Sequence, residues 1–202
     1  MLVPIIDIPA AARVDTFFAP PHRTRPPDLR NGHLMPPDLR TLHEALWRQE
    51  HGPEEVVASV LCEVYVEGPG LVFDRDLNLI RQTINQASEP EIEASYASVQ
   101  EAARQGPPRL SPGVTLLCER SGIGNYGHWL VEMLPVAILN LKHLADGGWR
   151  LRLPVAGAQM NQVALDSIRL AGVPGDRVEF RKPGPQRYEQ LVVVHGLSEH
   201  GV

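Results

Sequence analysis

A chain of 202 residues has room for one ordinary core, or one domain with an appended segment, since domains commonly run about 100–200 residues. With 43% hydrophobic and 21% charged residues it sits near globular averages, which excludes wholesale disorder. The net charge of -5 hides no basic stripe: residues 51–110 hold ten Asp and Glu against four Arg, and residues 111–202 hold eight acids against nine bases, so nucleic acid is not an expected partner.

The N-terminus, Met-Leu-Val-Pro-Ile-Ile-Asp-Ile-Pro, is apolar but lacks a basic start and is broken by Pro4, Asp7 and Pro9, which makes it a poor signal peptide. Residues 19–55 are rich in Pro, Arg and His and carry Pro-Pro-Asp-Leu-Arg twice, at 26–30 and 36–40. A single pair is too little for a solenoid. The segment reads as loop-rich with a short helix over Asp38–Gln49. Its histidines, His22, His33, His43 and His51, lack metal-ligand spacing and read as solvated, so no metal site is expected.

Val56–Val66 alternates around Val60, Cys62, Val64 and Val66, the period of a half-buried strand, and Gly68-Pro69-Gly70 supplies the turn after it. Leu71–Phe73 begins a second strand, and Leu77–Ile84 continues it after an Asp-rich turn. Glu89–Gln105 is acidic and lacks an apolar stripe, the mark of a surface helix or a mobile segment. Cys62 and Cys118 both fall within predicted strands and read as reduced core thiols.

From Val114 strand and helix alternate, the α/β signature. Strands are predicted at Val114–Cys118, Leu151–Ala156, Val178–Phe180 and Leu191–Val194, with helices at His128–Leu144 and Asn161–Ala171. The first helix is predicted to bury Leu130, Leu134, Ala137, Ile138, Leu141 and Leu144. The apolar run Trp129–Leu141 is too short for the ~20 residues of a bilayer span. A soluble, cytoplasmic protein is expected, peripheral to the inner membrane at most.

Residues 121–135 hold the chemistry, and two readings compete for them. Gly122, Gly124 and Gly127 satisfy G-x-G-x-x-G, the dinucleotide fingerprint, in which glycines admit a pyrophosphate to a helix N-terminus and an acid about 20 residues on holds the ribose. Here Glu119, Arg120 and Ser121 lengthen the turn, and Asp146 precedes the next strand instead of ending it. An NAD(P)-binding oxidoreductase is therefore the weaker reading. In the other, His128 stands in the first turn of a helix, where the dipole favours neutral imidazole, and Glu132 lies four residues on, on the same face. That pair suits a general base, with Asn125, Tyr126 and Trp129 beside it to bond and stack a sugar and Gly124 and Gly127 letting the loop approach it. The bland alternative makes His128 a cap, Trp129 core and Glu132 a solvated helix residue.

The run Cys-Glu-Arg-Ser-Gly-Ile-Gly-Asn-Tyr-Gly-His-Trp-Leu-Val-Glu-Met-Leu-Pro, residues 118–135, resembles the central motif of glycosyltransferase family 61. The resemblance is strong there and loose over the rest of residues 56–202. It implies an inverting transferase of polysaccharide biosynthesis with a GT-B architecture, using a nucleotide-sugar donor and a carbohydrate acceptor and requiring no cofactor. His128 and Glu132 would be catalytic. The expected organisation is a Pro-rich segment at 1–55, a β-rich segment with an acidic helix at 56–110, and a small Rossmann-like parallel sheet at 111–202. The donor-binding domain would lie beyond Val202 or on a second chain, so the expectation is an acceptor-side half with little transfer activity by itself. A non-catalytic carbohydrate-binding or assembly module is the alternative.

Overall fold

A computed structural model describes residues 3–23, 32–48, 50–51, 54–122 and 124–197. In chain order the strands are β1 (Ile5–Ile6), β2 (Arg13–Ala19), β3 (His22–Arg23), β4 (Glu50–His51), β5 (Glu54–Glu67), β6 (Leu71–Phe73), β7 (Leu79–Ile80), β8 (Leu110–Leu117), β9 (Arg150–Leu153), β10 (Val178–Phe180) and β11 (Gln186–His195). The helices are α1 (Pro37–Arg48), α2 (Glu89–Gln105), α3 (Tyr126–His128), α4 (Leu134–Leu139), α5 (Leu141–Ala145) and α6 (Ala158–Leu170). A π-helical turn, Trp129–Met133, joins α3 to α4. The chain divides into two compact units, Thr16–Val56 and the remainder, Met1–Asp15 with Val57–Val202.

In the smaller unit β3 and β4 pair antiparallel. The helix α1 starts inside the second Pro-Pro-Asp-Leu-Arg copy, with Pro37 in the first turn, where its missing N–H costs nothing. The first copy lies outside the described residues, as do the side chains of His22 and His51; His33 is exposed and His43 half-buried.

The larger unit is a mixed α/β fold. Its strands follow the order β1-β7-β6-β5-β11-β8-β9-β10. The hairpin of β5 and β6 turns at Gly68 and Gly70, both at positive φ, and continues antiparallel to β7. Asp74 makes the next turn by accepting the N–H groups of Asp76 and Asn78 at 2.9 and 2.8 Å, and β7 is then only two residues long before a 3-10 turn at Arg81–Thr83. The chain enters β8, steps outward to β9 and β10, and returns on the other side of β8 as β11, so β11, β8, β9 and β10 run parallel. Antiparallel pairing of β11 with β5 welds residues 56–110 and 111–202, distinct segments in the sequence, into one sheet.

Three expectations need correction. Val56–Ser59 are buried consecutively and Cys62 is exposed, so β5 does not alternate: as a central strand it is covered on both faces at one end, and Glu63, at φ 53°, interrupts it. Helix α2 does bury a stripe, Tyr96 and Val99 with Ile92 packed beside them, against Phe73 and Leu79. The predicted buried face of residues 128–144 is displaced. Trp129, Glu132, Met133, Val136, Ala137, Asn140 and Leu144 face inward, whereas Leu130 and Ile138 are exposed.

That last helix is also broken, and Pro135 supplies the cause. Proline has no N–H and its ring crowds the carbonyl four residues earlier. The turn before it widens, and the Leu134 N–H reaches back five residues to the Trp129 carbonyl. No helix among the described residues is long and apolar enough to cross a membrane.

Candidate active site

The site grows from the chain's path out of β8. Cys118 and Glu119 continue the buried line of the strand, Gly122 turns it at φ 90°, and the Asn125 N–H closes the turn on the Gly122 carbonyl at 2.9 Å. Asn125 then caps α3, its side-chain oxygen accepting the Gly127 N–H at 2.8 Å. His128 follows in the first helical turn, and its Nδ1 lies 2.6 Å from Glu132 Oε1. The Glu132 side chain is buried, while that of His128 is 23% exposed. A carboxylate fixed in the core thus holds an imidazole that reaches the surface.

Gly122 completes the arrangement. A Cβ on it would stand 3.0 Å from His128 Cδ2 and 3.4 Å from Nε2, so the imidazole edge packs on the backbone at a position open only to glycine. A proton on Nδ1 donated to Glu132 would make Nε2 the basic nitrogen of the neutral ring.

Of the other residues singled out from the sequence, Tyr126 is exposed in the first turn of α3. Trp129 is fully buried, and its ring belongs to the core; its Nε1 has no hydrogen-bond partner among the described residues. Asn125 is occupied as a cap. Gly124 has open space around it. The N–H of Gly127, the third glycine of the fingerprint, is taken by Asn125 and is not turned to a phosphate. Asp146 is exposed ahead of β9, away from where a ribose-binding acid would end that strand.

Beneath the turn lies a charged group that sequence reading passed over. Glu119 Oε1 accepts from Arg181 Nη1 at 2.9 Å, and Glu119 Oε2 lies 3.3 Å from Arg152 Nη2, without the alignment of a hydrogen bond. Arg152 is wholly buried, with its guanidinium 5.7 Å from the Tyr188 ring centre. Burial pushes the Glu119 carboxyl above its ordinary range, with Arg152 and then Arg181 opposing. Burial likewise pushes the Tyr188 phenol up to about 12. Arg120 donates to the Val194 carbonyl at 3.0 Å and to Asn85 at 3.3 Å; burial pulls its pKa down, and the charge of Glu132 pushes it back. The sequence carried Arg152 between Leu151 and Leu153, inside the predicted strand Leu151–Ala156.

A cavity of about 480 Å³ opens beside these residues, walled by Glu67, Ser95, Glu119, Arg120, Ser121, Gly122 and Arg181 among others. Gly122 both walls it and touches His128. Among the described residues no three His, Cys, Asp or Glu side chains gather as a metal would require. The chain matches no protein-family model, no curated protein and no solved structure.

Proposed function

We propose that this chain carries the acceptor side of a sugar-nucleotide-dependent, inverting glycosyltransferase, with His128 as general base and Glu132 as the group that orients it. The sheet β11-β8-β9-β10 would be the Rossmann-like half of a GT-B arrangement, and a donor-binding half would complete the cleft. One observation carries the reading: the 2.6 Å contact between His128 Nδ1 and the buried Glu132 carboxyl, which fixes the orientation of a partly exposed imidazole.

In the step this supports, Nε2 takes the proton of an acceptor hydroxyl while the oxygen forms its bond to the anomeric carbon of the donor. The bond from that carbon to the nucleotide's phosphate oxygen breaks, and its electron pair leaves with the phosphate. Attack opposite the leaving group inverts the anomeric configuration. Glu132 stabilises the imidazolium that results, and a positioned base of this kind contributes about 10²–10⁴ in rate.

Binding of the acceptor is testable without turnover. Saturation-transfer NMR with methyl glycosides of the common hexoses and N-acetylhexosamines is expected to show contact with the protein, weakened by Tyr126→Ala. Where transfer is measured as nucleoside diphosphate release, in the presence of a donor-binding half, His128→Ala is expected to abolish it with little change in thermal stability. Unchanged transfer in that variant overturns the assignment. Loss of the fold instead of the rate would favour a non-catalytic binding or assembly module, a reading to which the burial of Trp129 and the capping role of Asn125 lend weight.

A further inference from the structure

The glycosyl-transfer reading places a base but no pocket for the sugar whose hydroxyl it deprotonates. The cavity beside Gly122 has the matching chemistry. Its volume of about 480 Å³ falls in the range of small-ligand sites, roughly 300–1,000 Å³. Its lining residues are of both signs: Glu67, Glu91 and Glu119 with Arg181 and Arg120, the last turning its guanidinium to the Val194 carbonyl and Asn85. An anion would meet more carboxyl-bearing residues than guanidiniums, and a metal ion would meet Arg181. A neutral ligand with many hydroxyls meets acceptors and donors together.

The walls are also held in place. Arg181 is anchored by Glu119 Oε1 and by the Gly68 carbonyl, and Glu67 by the Ser98 hydroxyl at 3.3 Å. Gly68 approaches Ser95 so closely that a Cβ there would stand 2.4 Å from the serine oxygen, which packs the β5–β6 turn against α2. Glu119 Oε2 is buried without a hydrogen-bond partner, and its side chain is only 1% exposed. Anchored side chains of opposite character in one cavity, Glu67 and Arg181, are suited to bonding a vicinal diol.

Resting on the transferase reading, we propose that this cavity is the acceptor-sugar subsite, with Glu67 accepting from and Arg181 donating to adjacent hydroxyls of one ring. In this proposal the next hydroxyl reaches His128 past Gly122, which walls the cavity and packs on the imidazole although His128 itself does not line it. Glu67 and Arg181 are therefore binding residues for the acceptor, and Glu119 positions Arg181.

The test is a titration of the chain with the same panel of methyl glycosides, with inorganic phosphate and uridine diphosphate as charged probes. Ala94 lies exposed on α2 at the cavity wall, so Ala94→Trp blocks the opening without touching the core. Ala94→Trp and Glu67→Gln are each expected to weaken the best-bound glycoside by about tenfold or more, the loss of one charged hydrogen bond or its equivalent, with the native circular-dichroism spectrum retained. His128→Ala should bind nearly as well as the native chain. A glycoside that binds the native chain and both cavity variants alike overturns the subsite and leaves the transferase reading standing. A glycoside that loses its affinity in Ala94→Trp while His128→Ala leaves transfer unchanged upholds the subsite and overturns the base. Binding of phosphate or uridine diphosphate with no glycoside bound overturns the subsite.

Discussion

At the scale of single residues the consequences of burial dominate. Arg152 and Glu119 are a wholly buried pair in which the arginine's Nε, Nη1 and Nη2 all lack hydrogen bonds among the described residues. Such a pair adds little stability, because desolvation offsets the attraction, but breaking it strands a charge. Glu119→Ala is expected to cost about 3–5 kcal/mol in urea denaturation, and the double variant Glu119→Gln with Arg152→Met to recover most of that loss. Gly122 offers a sharper contrast with its neighbour. Gly122→Ala meets both a left-handed backbone and the imidazole, whereas a Cβ on Gly124 meets nothing within 4 Å. Gly122→Ala should lower stability by about 1–2 kcal/mol and Gly124→Ala leave it unchanged within about 0.5 kcal/mol, both by thermal denaturation. Glu67 ties stability to pH. Burial raises its carboxyl pKa above the ordinary 4.5, with Ser98, Arg181, Gly68 and Arg152 opposing. The native state therefore binds the proton more readily than the unfolded chain, and the benefit, full below about 4.5, is lost as pH rises through the shifted value. Across that window native stability should fall relative to Glu67→Gln; a pH series of urea curves with a constant difference would rule the linkage out.

Among elements, the helical stretch from Tyr126 to Ala145 shows most clearly how far sequence reaches. Its existence and the His128–Glu132 spacing were readable, whereas Asn125, expected to bond a sugar, is the residue that caps it. Its inward face was not readable, because apolar residues line nearly its whole circumference and two stripes satisfy the helical period equally well. The structure selects the one with Trp129 and Met133, both fully buried, and sends Leu130 and Ile138 outward. The π-turn was hinted at only by Pro135. Replacing that proline by alanine removes the reason for the wide turn, so Pro135→Ala should return the helix to regular winding and turn His128 relative to Glu132. Transfer or acceptor binding should drop while helix content by circular dichroism holds or rises. Helix α2 illustrates the opposite case. Glu91 accepts from both the N–H and the hydroxyl of Ser88, at 2.8 and 2.7 Å, and these bonds hold its carboxyl below the ordinary range. The stripe of Ile92, Tyr96 and Val99 was diluted by the acids around it. Long-range partners such as Arg181 and Glu119, 62 residues apart, leave no local trace at all.

Taken whole, the larger unit is one sheet assembled from distant stretches of chain, with β5 and β8 on either side of the last strand, β11. Since β11 pairs with both, its docking requires the rest of the sheet, and unfolding of the unit should be a single cooperative event. The two cysteines provide a means of following it. Cys62 is exposed on β5, whereas Cys118 is fully buried at the end of β8, its thiol donating to the Met133 carbonyl at 3.1 Å and driven well above its ordinary pKa by burial. A maleimide should react with one thiol per native chain and with two after denaturation. The difference turns the molecule into its own stopwatch: one sulfur accepts a fluorophore at a defined place without mutagenesis, and the second becomes reactive only when the sheet around it has opened.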